Sequence, residues 1–131
     1  MLTKAQIRDY LKTIFTADNY YIGRLDNKKD KSIGVYDLKT KNKPYIAIGG
    51  LECTSYAKKS ISILIHWNKN ANETEIASNK LYQALLDKKD FNIDNIHIQY
   101  IELLVNQPVP VDTDDNNIYE YVIECSFIYK R

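Results

Sequence analysis

Histidine and cysteine are the side chains best suited to nucleophilic or metal chemistry near neutral pH, and this chain holds two of each. His66 and His97 both sit in strand-like runs with no carboxylate or thiol at ligand spacing. Cys53 and Cys125 lie far apart and form no CxxC pair, so neither a zinc site nor a dithiol redox motif is supported. We expect two reduced thiols, with Cys125 buried. A catalytic site would need tertiary convergence, for example of His66 with Cys53 or Ser55. A packed or solvent-facing strand histidine is the simpler reading, and no enzymatic activity is expected.

The acidic run Asp112-Thr113-Asp114-Asp115-Asn116-Asn117 has the look of a calcium loop. The match then fails, because Asn117 stands where such a loop takes glycine and Ile123 where it takes a bidentate glutamate. A solvated loop is the better reading, and no metal or other cofactor is expected. Gly49-Gly50 lacks phosphate-loop spacing and reads as a turn. Lysines are the remaining charged group of interest. Lys28, Lys29 and Lys31 in one polar stretch, with Lys39, Lys41 and Lys43 in the next, form a basic rim if the two loops share one end of a sheet. Such a rim contacts phosphate without reading bases; ordinary solvated loops are the alternative.

These residues must be held by the elements around them. Thr3 and Gln6 make a capping-box pattern, and Ile7, Tyr10, Leu11, Ile14 and Phe15 follow at helical spacing, which predicts a helix over about 4–16. Strand-like runs follow at Tyr20 to Leu25 and Ser32 to Leu38, joined by a polar stretch that suits a hairpin. Another is expected at Tyr45 to Ile48. Ser60 to Trp67 alternates strongly and should be a strand. Asn72 with Glu75 reads as a helix cap, predicting a second helix over about 73–87 with Ala77, Leu81, Ala84 and Leu85 inward. Ile96 to Val105 is apolar enough to sit centrally in a sheet. Gln107-Pro108-Val109-Pro110 should break regular pairing, and Tyr119 to Tyr129 should form a last strand with one apolar face. Helices set between runs of strands favour an α+β fold: a mainly antiparallel or mixed β-sheet with two α-helices packed on one face.

At 131 residues the chain fits a single domain over 1–131. With 18 Lys and Arg against 17 Asp and Glu the formal net charge is +1, so overall charge demands neither nucleic acid nor an anionic membrane as partner. The apolar runs are far shorter than the roughly 20 residues of a membrane-spanning helix. Charged residues through the first helical pattern leave no apolar core for a secretory signal, so folding in the cytoplasm is expected. Tyrosine is abundant, which suits strands with polar tips.

Four segments together carry a family resemblance: GVY at Gly34 to Tyr36, IGGLECTSY at Ile48 to Tyr56, SISILIHWNKNANETEIASNKLYQALL at Ser60 to Leu86, and IYEYVIECSFIYKR at Ile118 to Arg131. In order and texture the chain resembles the tail-terminator-like minor capsid proteins of tailed phages and prophages. The resemblance implies a small α/β domain, a place in the virion at the tail or head-tail junction, and assembly into a ring, a hexamer by resemblance. The partners implied are further copies of the chain, the tail tube protein and head-tail connector proteins, with non-specific DNA contact possible in a ring and no membrane. Surface candidates for assembly or for lining the lumen are Lys28, Lys29, Lys31, Lys39, Lys41, Lys43, Tyr56, Asp112, Asp114 and Asp115. The competing reading is a small nucleic-acid-binding module using the lysines with Tyr20, Tyr21, Tyr36 and Tyr45.

Overall fold

Ile61, Ile63 and Ile65 are fully buried on one side of a strand, and opposite them in antiparallel register stand Cys125, Ile123 and Tyr121. In the computed structural model, which describes residues 1–24, 29–38, 56–111, 113 and 116–130, these two strands are β3 (Tyr56–His66) and β7 (Glu120–Lys130). They form the middle of a mixed sheet. The remaining strands are β1 (Asn19–Ile22), β2 (Ser32–Asp37), β4 (Lys89–Ile93), β5 (Ile96–Leu103) and β6 (Val109–Val111). The order is β1-β2-β3-β7-β5-β4, and β6 pairs with the part of β7 that β5 leaves free. Together with two helices this is an α+β fold, as the sequence pattern implies.

Helix α1 (Lys4–Ile14) begins as expected. The Gln6 N–H donates to the Thr3 hydroxyl at 3.2 Å, and the Gln6 amide oxygen accepts from the Thr3 N–H at 2.9 Å. Ile7 and Leu11 are buried, each contributing on the order of 1.5–3 kcal/mol before ordering entropy is subtracted. The helix stops at Ile14, two residues short of the expected end, because Phe15 turns extended and its carbonyl accepts from the Tyr20 hydroxyl. Contacts of α1 reach β1 and β2 at one edge and β4 at the other. Lys4 meets Asp37 at 2.8 Å, Gln6 donates to Asp94 at 3.0 Å, and the Tyr10 and Phe91 rings stack at 4.8 Å. The sheet therefore curls around this helix. Helix α2 (Ala71–Leu85) packs on β7 and β3 and feeds Leu81, Tyr82 and Leu85 into the same core as α1.

Several expectations are corrected. The cap of α2 is Asn70, not Asn72, and the helix starts two residues earlier. Asn70 Oδ1 accepts from the Glu73 N–H at 3.1 Å, Asn68 Oδ1 accepts from the Asn70 N–H at 2.9 Å, and Asn68 Nδ2 donates to the Glu73 carboxylate at 2.7 Å. Three alternating asparagines are chemically equal caps, and only this network chooses among them. Asn70→Ala should cost about 1 kcal/mol while Asn72→Ala leaves stability within about 0.5 kcal/mol; paired urea melts would check this.

The β1 and β2 strands are parallel neighbours rather than a hairpin, with Asn19 opposite Ser32 and Ile22 opposite Val35. Such a link ordinarily needs about a dozen residues. Here the shorter 23–31 link suffices because β1 has only four residues, and Gly23, at φ 71°, turns the chain back. β5 is not central but lies beside the edge strand β4, whose polar sequence Lys89-Asp90-Phe91-Asn92-Ile93 hides its pairing. β6 forms where pairing was expected to break. Pro110 is tolerated there because β6 uses only one edge. The expected strand at Tyr45 to Ile48 and the Gly49-Gly50 turn lie outside the described residues.

Candidate assembly surface

Lys31 sits where three strands meet. Its N–H donates to the Trp67 carbonyl at 2.6 Å, and its own carbonyl accepts from the N–H groups of Asp18 and Asn19 at 2.9 and 3.3 Å. The backbone thereby joins the entries to β1 and β2 with the exit of β3. The exposed ammonium group lies 6.0 Å from the centre of the Trp67 ring, within reach of a cation–π attraction. The Phe15 ring stands 5.7 Å from the same Trp67 ring. These residues border a groove of about 500 Å³ between the end of α1 and the outer side of α2, completed by Ile76 and Lys80.

Next to this groove the ladder aligns Ser32, His66 and Glu120 on neighbouring strands. His66 has no solvent exposure, and its Nδ1 lies 2.9 Å from a Glu120 carboxylate oxygen. No sequence spacing announces this pair, because the partners belong to strands joined only by tertiary pairing. The row has the composition of a Ser–His–acid relay without its accessibility. Ser32 is also fully buried, and its hydroxyl donates to the Lys29 carbonyl at 3.1 Å. A substrate from solution has no path to that oxygen, so the row acts as packing. His97 is half-buried, 3.1 Å from Asn92 Oδ1 and 3.7 Å from Asp90. Cys125 is buried as expected, and burial pushes its thiol up to about 12. Cys53 and Ser55, the suggested convergence partners of His66, lie outside the described residues.

Tyr56 stands at the far end of β3 from the Lys31 groove. It is exposed beside Lys58, Tyr100 and Glu102, which with Ile128 border a cleft of about 310 Å³; the Lys58 ammonium lies 3.5 Å from Glu102. Of the other surface candidates, Lys29 and Lys31 are both exposed at the Trp67 end. Lys28, Lys39, Lys41, Lys43, Asp112, Asp114 and Asp115 lie outside the described residues. The eleven-residue length of β3 keeps Tyr56 and Lys31 on separate surfaces. Tyr20, proposed for base stacking in the competing reading, is committed to the fold: its ring packs on the core and its hydroxyl accepts from the Ala17 N–H at 2.8 Å.

The surface thus offers grooves, loop ends and strand edges. A family model described as bacteriophage tail terminator protein matches residues 1–131. The chain belongs to that family. Among curated proteins, none matches it. Membership gives a structural role in the phage tail or at its junction with the head, with partners among the proteins of tail assembly. No helix among the described residues is long and apolar enough to cross a membrane. The groove beside Trp67 is what sequence reasoning missed in this tail terminator family member. Its walls come from α1, the entry to β2, the exit of β3 and α2, and the only advance signal was Trp67 directly after an apolar strand.

Proposed function

We propose that this chain, folding as one domain over 1–131, completes the head-proximal end of a phage tail by closing into a ring that meets the tube on one side and the head or connector on the other. The family match over the whole chain carries this reading. Identical subunits close a ring when two different patches on each copy meet head to tail. Grooves and strand ends at separate places on the molecule supply such patches. A hexamer is the subunit number implied by resemblance.

Lys28, Lys29, Lys31, Lys39, Lys41 and Lys43, with Tyr56 and the aspartates Asp112, Asp114 and Asp115, are the candidates for assembly or for facing the lumen, where lysines would hold DNA weakly and without sequence preference. Negative-stain imaging of the purified chain over a concentration series, alone and with tail tubes from the same gene cluster, tests the reading. Closed rings capping tube ends are expected. A monomer that ignores the tubes at every concentration would refute it, and salt-sensitive binding of that monomer to DNA would support the nucleic-acid alternative.

A further inference from the structure

Two apolar features remain open at the Trp67 end of the chain. One is the groove: Phe15 and Trp67 face it, Ile76 stands 47 % exposed beside them, and Lys31 and Lys80 supply positive charge at its border. The other is β6, where every residue is exposed, Val109 at 43 % and Val111 at 39 %. One chain does not join the two. Val109, Pro110 and Val111 are held in register with Val122, Tyr121 and Glu120 of β7, and no β6 residue borders the groove.

The chemistry of each feature limits its partner. Pro110 has no N–H, so the outer edge of β6 cannot offer a full ladder to a strand of another molecule; contact there must be made by side chains. The groove sets the apolar side chains of Phe15, Trp67 and Ile76 among polar ones, with two ammonium groups against one carboxylate, Glu73, which already accepts from Asn68. An apolar segment carrying negative charge complements it. The sequence of this chain provides one, since Val109-Pro110-Val111 runs directly into Asp112, Asp114 and Asp115.

We propose that the groove takes the Val109–Val111 strand of a second copy of this chain, with Val109 and Val111 against Phe15, Trp67 and Ile76, and Lys31 and Lys80 giving its border the charge opposite to that of the sequence following Val111. Donor and acceptor are different patches, so the contact is heterologous and repeats from copy to copy. The inference rests on the ring reading above and names its interface.

Two blocked variants test it. Ile76→Glu closes the acceptor, and the double change Val109→Asp with Val111→Asp closes the donor; the altered side chains are exposed, so thermal melts should stay near wild type. Lys31→Glu with Lys80→Glu serves as a second acceptor block if Ile76→Glu melts early. By sedimentation velocity the wild-type chain should form higher assemblies, and each variant alone should remain a monomer. An equimolar mixture of acceptor- and donor-blocked chains should stop at a one-to-one heterodimer, because a single intact contact survives between them. Wild-type assemblies that persist in either folded variant, or a mixture that stays monomeric, would overturn this interface and leave the ring reading standing. A wild-type chain that stays monomeric even with tail tubes would overturn both.

Discussion

Phe127→Ala is expected to lower the free energy of unfolding by about 3–5 kcal/mol, the range for deleting a fully buried aromatic ring. Among the described residues Phe127 is the largest of the fully buried side chains. Its ring meets Tyr10 of α1 edge-on at 6.3 Å and 89°, and Tyr10 in turn stacks on Phe91 of β4. Removing it therefore opens a cavity where the central strand, the first helix and the curled edge of the sheet come together. Tyr100→Ala in the neighbouring strand, where the residue is 46 % exposed, should cost far less, on the order of 0.5 kcal/mol. Urea unfolding of both variants reads the difference. A loss below about 1 kcal/mol for Phe127→Ala would mean that α1 is not seated on β7 in this way.

Stability should fall steeply in alkali, with Cys125 as a main cause. Burial raises its thiol from the ordinary 9.0 to about 12. In the unfolded chain the thiol ionises near 9, while in the folded chain it keeps its proton to about 12. Between those values the unfolded state binds fewer protons, so the free energy of unfolding declines as pH rises. The full contribution is present below pH 9 and is lost as pH climbs through 12, on the order of 4 kcal/mol at about 1.4 kcal/mol per pH unit. Tyr10 and Tyr121, also raised by burial, lean the same way. A Cys125→Ala variant isolates the thiol: its stability between pH 9 and 11 should fall more gently than that of wild type. Equal slopes would show that Cys125 is solvated. The same burial predicts that Cys125 resists alkylation at pH 8 until the chain unfolds.

Local features were legible wherever neighbours in sequence are also partners in space. The Thr3 and Gln6 capping box, the inward face of α1, the alternation of β3 and β7 and the burial of Cys125 all depend on residues a few positions apart or on side-chain pattern alone. The α2 cap shows where this local reading ends. Asn68, Asn70 and Asn72 offer equivalent chemistry, and the choice falls to Asn70 through hydrogen bonds on both sides of it. Strand direction was harder still. β1 and β2 are linked closely enough to suggest a hairpin, yet they run parallel: β1 pairs with the edge of β2 that faces away from β3, and Lys31 ties the entries of both strands to Trp67.

By itself, then, the sequence determined the helices, the two strongest strands, the α+β class and the texture shared with tail terminators, since each follows from short-range periodicity, capping or composition. Tertiary structure alone decided the strand order, the place of the polar edge strand β4, the His66–Glu120 pair and the Trp67 groove. Each of these is a meeting of segments distant in the chain. Hydrophobic periodicity says which side chains must leave water, but it does not say which distant segment will cover them.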